Sequence, residues 1–380
     1  MRPLAAGLWM LLAAGAAATA IWLTTAWLLE VADGAQAGTE RARIRVDAVR
    51  TGLAAGAGAG AAVGLMLAFR RQRHAELATA LNELDAAERR QDAIERRVTE
   101  LYNAAAEQLG SDKAPVRLTA LYTLERLANG NPGHRQTIVN IICAYLRMPF
   151  PVERPEPEVS EEELASLTAP DRVTLTSAGH ARATDWEQER HVRLTAQRIL
   201  GARLRPATDQ FWADIELDLT GATLIDFSLF DCRVSRGFFH YATFTGDTLF
   251  SGEFSGDAEF HGAGFTGGLV GFVDLTFGGG AFFGRTTFTG HAVFGETRFT
   301  GRALFSDATF AGDTTFRGVT FEADIHFPGA DFQGRANALE GIITVSDTAL
   351  VHQLPPHWRI EPAEGTTGTI VQDPAPGSGG

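Results

Sequence analysis

The chain has 380 residues, 45% of them hydrophobic and 21% charged, with a formal net charge of −13. At about 150 residues per domain there is room for two or three domains. The negative balance excludes a broad electrostatic grip on nucleic acid, and two cysteines, Cys143 and Cys232, supply neither a disulfide framework nor a zinc site and fit a reducing compartment.

Leu4 to Leu29 carries no charge. At about 1.5 Å per residue it exceeds the roughly 30 Å hydrocarbon core, which predicts a transmembrane helix. Trp9, Trp22 and Trp27 lie toward its ends, where interfacial anchors sit. The rival reading is a secretory signal cleaved after Ala35-Gln36-Ala37, but the apolar stretch is much longer than the ~7–15 residues of such a core. A second uncharged run, Thr51 to Phe69, is built largely from Gly and Ala and stops at Arg70-Arg71-Gln72-Arg73. Gly52, Gly56, Gly60 and Gly64 form a small-residue stripe that in lipid lets another helix approach closely, either the first span or a second copy in a homo-oligomer. Arg2, Arg70, Arg71 and Arg73 favour both ends inside, although Arg41, Arg43, Arg45 and Arg50 in the intervening loop pull the other way. Residues 1–73 therefore read as a helical hairpin in membrane lipid (spans about 4–29 and 51–69). It would lie in the cell inner (plasma) membrane, with the bulk of the chain cytoplasmic.

His74 to Gln108 is polar and free of Gly and Pro, with Leu77, Leu81 and Leu84 starting an apolar stripe that Ile94, Val98, Leu101 and Ala105 continue after a phase slip. This predicts a helical stalk, as a short coiled coil or a docked solvated helix, ended by Gly110. Asp112 is the expected N-cap of the next helix, with Pro115 in its first turn. Leu118, Leu121, Tyr122, Leu124 and Leu127 line that helix; Gly130, Pro132 and Gly133 break it; Ile138, Ile141, Ile142, Tyr145 and Leu146 line its partner. Residues 74–148 are thus a stalk and a helical hairpin. The phrase VRLTA at Val116–Ala120 recurs at Val192–Ala196. With VR-x-x-A on one helix, the hairpin resembles a HEAT-type repeat, although so few units cannot form a solenoid alone and must dock on something else. Residues 149–184, rich in Pro and Glu, read as an acidic linker, and 185–206 as a helix docking onto the C-terminal repeats.

In TFTGHAVFGETRFTGRALFSDATF the phenylalanines Phe288, Phe294, Phe299, Phe305 and Phe310 are spaced six, five, six and five. Neither a strand nor a helix has that period. The ladder extends upstream through Phe283, Phe277, Phe272, Phe265, Phe260, Phe254, Phe250 and Phe244 to Leu229, Leu224 and Leu219, and downstream through Phe316, Phe321, Phe327 and Phe332. Two residues before most of these stands a small side chain, such as Ala222, Ala242, Ala263, Ala292, Ala308 or Thr286. A square coil satisfies the pattern: each five-residue side points one large and one small residue inward, and four sides return the chain one strand spacing higher, about 4.8 Å. Glycines such as Gly246, Gly256, Gly290, Gly301 and Gly312 fall at the corners, where unusual backbone angles are cheap for glycine. The register is expected to break near Val234–Phe239 and at Gly267–Gly271.

The unit A-x-F-x-x, and most strictly DLTGATLIDFSL, resembles the pentapeptide-repeat family from about Leu217 to Phe332. The resemblance implies a right-handed quadrilateral β-helix over 207–335, with about five coils. The layout is similar to actinobacterial two-span membrane proteins with C-terminal pentapeptide repeats. The fold class is therefore α plus β-solenoid: a transmembrane hairpin, a HEAT-like helical module and a C-terminal β-helix. Residues 336–380 read as a cap, with Ile342–Val345 and Trp358-Arg359-Ile360, and a disordered tail.

No motif points to chemistry. The histidines are dispersed, no C-x-x-C or H-E-x-x-H occurs, and GAGAGAAVG lies in an apolar run with no lysine after it. The expectation is no enzyme, no cofactor and no metal. Two functions remain: a membrane-anchored scaffold binding a protein partner, or an acidic mimic of DNA, since some family members resemble duplex DNA and bind gyrase. From Asp209 to Glu340 there are 18 acids against 7 arginines. Mimicry requires those acids to align along the rod, whereas a scaffold tolerates acids interspersed with arginines.

Overall fold

The computed structural model describes residues 3–33, 39–154, 169–334, 336–337 and 343–372. The chain divides into two units, Met1–Arg96 and Arg97–Gly380.

Both apolar runs of the first unit are helical, in α1 (Pro3–Asp33) and in α2 (Thr39–Leu109). The second run and the polar stretch after it form one continuous helix, because between Gly64 and Gly110 neither Gly nor Pro interrupts the hydrogen-bond ladder. Within Arg45–Leu109 lies a window long and apolar enough to cross a membrane by length and composition, and Gly15–Val31 is a shorter apolar stretch. The glycine stripe is not uniform. A Cβ on Gly52 would come within 2.8 Å of Thr25 Oγ1 on α1, whereas Gly56, Gly60 and Gly64 have nothing within 4 Å.

In the second unit, α3 (Ala114–Gly130) and α4 (Arg135–Leu146) form the expected helical hairpin around Leu121, Leu124, Ile138 and Ile142. The N-cap of α3 is Lys113 rather than Asp112; the Ser111 hydroxyl accepts from the Lys113 N–H at 3.2 Å, which moves the helix start one residue on. Helix α5 spans Ala169–Arg203, so it begins inside the stretch expected to be linker. Pro170 suits a first helical turn, and the run from it to Arg198 holds a single glycine, Gly179. Residues 155–168 of that linker lie outside the described residues. Its first residues are tied down, with Phe150 stacked on Trp186 at 5.5 Å and the indole N–H donating to Pro151 O.

The repeats form a parallel β-solenoid with four faces. Its tiers begin on the first face at Leu217, Gly237, Ala258, Ala281, Ala303 and Ile325, advancing by 20, 21, 23, 22 and 22 residues. There are six tiers rather than about five. Neither expected break interrupts the ladder. Phe239 stacks on Phe260 with ring centroids 4.8 Å apart, and Gly237 occupies the small seat before it. Val270 takes the small seat before Phe272, and the surplus residues of the long third tier are absorbed at the corner Gly267-Gly268-Leu269. The small seat needs only a side chain that fits, so Gly, Thr and Val serve beside Ala.

Most inward rings find another directly above; Phe227 meets its neighbours only tilted or edge-on, and Val345 lies above Phe321. Successive Phe residues stack with centroids 4.4–5.7 Å apart and planes within 12°, while neighbouring faces meet edge to face, as Phe272 does with Phe283 at 5.4 Å. Leu219, Leu224, Phe244, Phe254, Phe260, Phe265, Phe272, Phe277, Phe283, Phe288, Phe294, Phe299, Phe305, Phe310, Phe316, Phe321 and Phe327 are all buried; Phe332, in the last tier, is partly buried.

The corner glycines work differently from expectation. Among Gly246, Gly256, Gly290, Gly301 and Gly312 only Gly246 has a positive φ. Gly267, Gly290, Gly312 and Gly334 follow Gly246 in a column in which a Cβ would fall 1.7–2.3 Å from the carbonyl oxygen one tier below. They are glycine because backbone passes over backbone. The left-handed conformation recurs instead at two corners: between the first two faces, where Gly221, Tyr241, Gly262, Arg285, Asp307 and Gly329 have φ of 53–69°, and between the third and fourth, where Asp231, Asp274, Glu296 and Gly318 have φ of 50–65° and Gly252 has φ of 105°.

Both ends of the solenoid are closed. At the start, Gln197 of α5 accepts from Ile225 N–H at 3.0 Å and donates to Ile225 O, and Gln136 of α4 does the same for Glu216, with both bonds at 2.9 Å. Each side-chain amide stands in for the next strand of the ladder. At the other end Ile343–Val345 pairs with Thr320–Phe321 and then with an antiparallel hairpin, Trp358–Pro362 and Gly368–Gln372. Trp358 covers the last rings, 5.7 Å from Phe316 and 5.9 Å from Phe332.

Candidate interaction surface

Because stacked rings fill the interior, function falls to the outer faces and the helical module. The two VRLTA copies meet at one carboxylate. Arg193 Nε lies 2.9 Å and Arg117 Nη2 3.2 Å from Glu189, whose oxygens also accept from Tyr145 Oη at 2.7 and 2.9 Å. Burial and the Glu189 hydrogen bond push the Tyr145 hydroxyl well above its ordinary pKa. Arg193 is 1% exposed, donates to Leu146 O and Met148 O, and lies over the Phe150 ring at 4.9 Å. This network joins α3, α4 and α5, a structural role, although the buried Arg117 Nε has no hydrogen-bond partner among the described residues.

Beside it, Gln136, Asn140 and Cys143 of α4, with Arg147 at its C-cap, face Glu216, Asp218 and Phe238 across a cleft of about 330 Å³. Arg147 pairs with Asp218 and Arg236 with Glu216. Burial pushes the Cys143 thiol up to about 12, so it stays protonated and is no nucleophile at neutral pH. Among the described residues no group of three or more His, Cys, Asp or Glu is arranged to hold a metal ion.

The four outer faces differ. The second face carries a threonine ladder, Thr223, Thr243, Thr287 and Thr309, broken in the third tier by Gly264 and ended by Asp331. The Thr residues following its Phe positions donate to carbonyls one tier below, as Thr266 does to Phe244 O at 3.1 Å and Thr289 to Phe265 O at 3.0 Å, a structural use of the hydroxyl. On the first and fourth faces, charges pair across tiers: Arg233 with Glu253 at 2.9 Å, Arg236 with Glu216 and Arg298 with Glu322 at 2.6 Å, Arg302 with Asp324 at 3.8 Å. Of the repeat histidines, His291 is exposed and His240, His261 and His326 are half-buried; His240 Nε2 lies 2.7 Å from Glu259. Acids here alternate with arginines instead of forming the uninterrupted rows that a DNA mimic requires.

The third face is apolar. Leu249, Val273 and Val293 project outward there, and their methyl groups lie over Gly271 and Gly295; Leu249 Cδ1 would be 3.1 Å from a Cβ on Gly271. The sequence pattern does not single out these outward residues, because the same strands carry Phe ladder positions and the alternation emerges only once the coil register is known.

Residues 294–337 match the family model described as pentapeptide repeats (9 copies). That match lies inside the six-tier solenoid, which therefore carries pentapeptide repeats; β-solenoids of this kind are generally structural or protein-interaction modules and generally non-catalytic. No curated protein and no solved structure matches the chain.

Proposed function

We propose that this protein is a non-enzymatic, membrane-anchored scaffold that presents a rigid β-solenoid to a protein partner in the cytoplasm. The observation that carries the reading is the closed rod itself: a ring-filled interior, both ends capped, and four flat faces as the surface left to act. Such a rod is ordered before it binds, so association costs little conformational entropy. The apolar window in α2 and the arginines Arg70, Arg71 and Arg73 behind it support a span at the inner membrane with the solenoid inside. Gly56, Gly60 and Gly64, with open space around them, leave room for a second copy in the bilayer. Cross-tier Arg–acid pairing weighs against the alternative of gyrase-directed DNA mimicry.

The test is crosslinking and co-purification of the full-length protein from native membranes, beside a form lacking residues 1–69. A partner recovered with the anchored form alone supports the scaffold. Recovery of gyrase by both forms, with inhibition of supercoiling by the soluble one, overturns it.

A further inference from the structure

We infer that the third solenoid face docks an amphipathic α-helix of a partner protein carrying basic residues along one flank; this rests on the scaffold reading and names the partner's chemistry. Leu249, Val273 and Val293 make a flat apolar strip across tiers two to four, with Gly271 and Gly295 keeping it shallow and Leu269, 47% exposed, at its border. Along one edge, at the corner leading to the fourth face, stand Asp231, Asp274 and Glu296, all exposed. Glu216, Glu253, Glu322 and Asp324 on the first and fourth faces are each paired with an arginine one tier away, whereas these three have no ion-pair partner among the described residues. Arg317, in the fifth tier, ends the acidic row. The strip offers no free backbone edge, since its strands are paired on both sides, so the occupant must present side chains. Asp274 and Glu296 stand in consecutive tiers, and Asp231 lies two tiers before Asp274, past Ser251 in the second tier. A helix laid along the rod repeats about every 5.4 Å against a tier spacing of about 4.8 Å, so two successive turns bring basic residues near Glu296 and Asp274, and the second turn beyond them reaches Asp231.

The charges also decide against other occupants. A second copy would bring the acidic edge against itself or against the opposite edge, where Asp247 and Asp313 flank His291. An anionic membrane surface would be repelled by the same row.

The experiment places the photocrosslinker p-benzoylphenylalanine at Val273, and separately at Thr287 on the second face, in the full-length protein in native membranes. The captured segment is then identified by mass spectrometry. The expected result is capture from position 273 of a basic amphipathic helical segment. Its yield should fall about tenfold when Asp231→Asn, Asp274→Asn and Glu296→Gln are combined in a protein whose melting curve is unchanged. Capture of this same chain, of lipid or of an acidic segment, or a yield indifferent to the triple substitution, overturns the inference. A partner caught from position 287 but not 273 overturns the face assignment and leaves the scaffold reading standing; no partner from either position removes both.

Discussion

Phe294 is buried between Phe272 below and Phe316 above, at 4.9 Å from each, and no solvent reaches the column to fill a gap. Phe294→Ala should therefore cost about 3–5 kcal/mol of unfolding free energy, read by chemical denaturation. The small seats give a finer test. Thr297 donates to Phe272 O at 2.6 Å, whereas the buried hydroxyl of Thr314 has no hydrogen-bond partner among the described residues, and Val270 fills the equivalent seat two tiers down. Thr314→Val should be neutral or gain about 1 kcal/mol, while Thr297→Val should lose about 1 kcal/mol. The opposite order would mean that a buried water satisfies Thr314. At the corners, Gly312→Ala drives a Cβ to 2.3 Å from Gly290 O and should cost about 3 kcal/mol, whereas Gly284→Ala meets only the His261 ring edge at 2.9 Å and should cost under about 1 kcal/mol. The buried thiols of Cys143 and Cys232 are both pushed up to about 12 from 9.0. In that window the folded protein holds protons that the unfolded chain has released. Stability should be intact below pH 9 and fall as pH rises from about 9 toward 12. Denaturation midpoints across that range check the sign, with a Cys143→Ser, Cys232→Ser variant expected to flatten the slope.

A parallel β-coil has no natural end, so its first and last strands carry unpaired backbone groups that invite further pairing. Here each end is sealed by a different device. At the start, two glutamines from separate helices supply the missing donor and acceptor for Ile225 and Glu216, and Trp212 is buried among the helices, its indole N–H donating to Asn129 at 2.9 Å. Gln197→Ala strands two buried backbone groups and should cost about 2–4 kcal/mol, with the Ile225 amide losing hydrogen-exchange protection ahead of the other tiers. Equal protection at Ile225 in both proteins would show that the helix, and not the amide, seals the edge. α5 therefore acts as the first rung of the solenoid.

In the rod as a whole, each tier touches only its neighbours, which makes the fold's stability a sum of tier contacts and end caps. Deleting residues 343–372 uncovers the Phe316, Phe327 and Phe332 rings together with the parallel edge of the last tier. The truncated protein should self-associate in detergent solution, visible as a shift to larger species by size-exclusion chromatography with light scattering. An unchanged mass would mean the sixth tier tolerates an open edge.

The period of five to six between phenylalanines is enough to read a four-sided coil and its core, because an inward residue must recur once per side wherever the chain returns on itself. The two apolar runs and the helical hairpin are equally legible, since helical periodicity is local. What the sequence could not reveal depends on register across 20 to 23 residues. The places of Phe239 and Val270 in the ladder, the backbone contact that demands glycine at Gly290 and Gly312, and the meeting of Arg117 with Arg193 at Glu189 all require knowing which tier lies above which. The same holds for the apolar third face and its acidic edge: Leu249, Val273 and Val293 are at least twenty residues apart in sequence and become neighbours only when strands stack. Side-chain periodicity determined the coil; the vertical alignment of its turns, set by packing and hydrogen bonding between tiers, decided which residues share a surface.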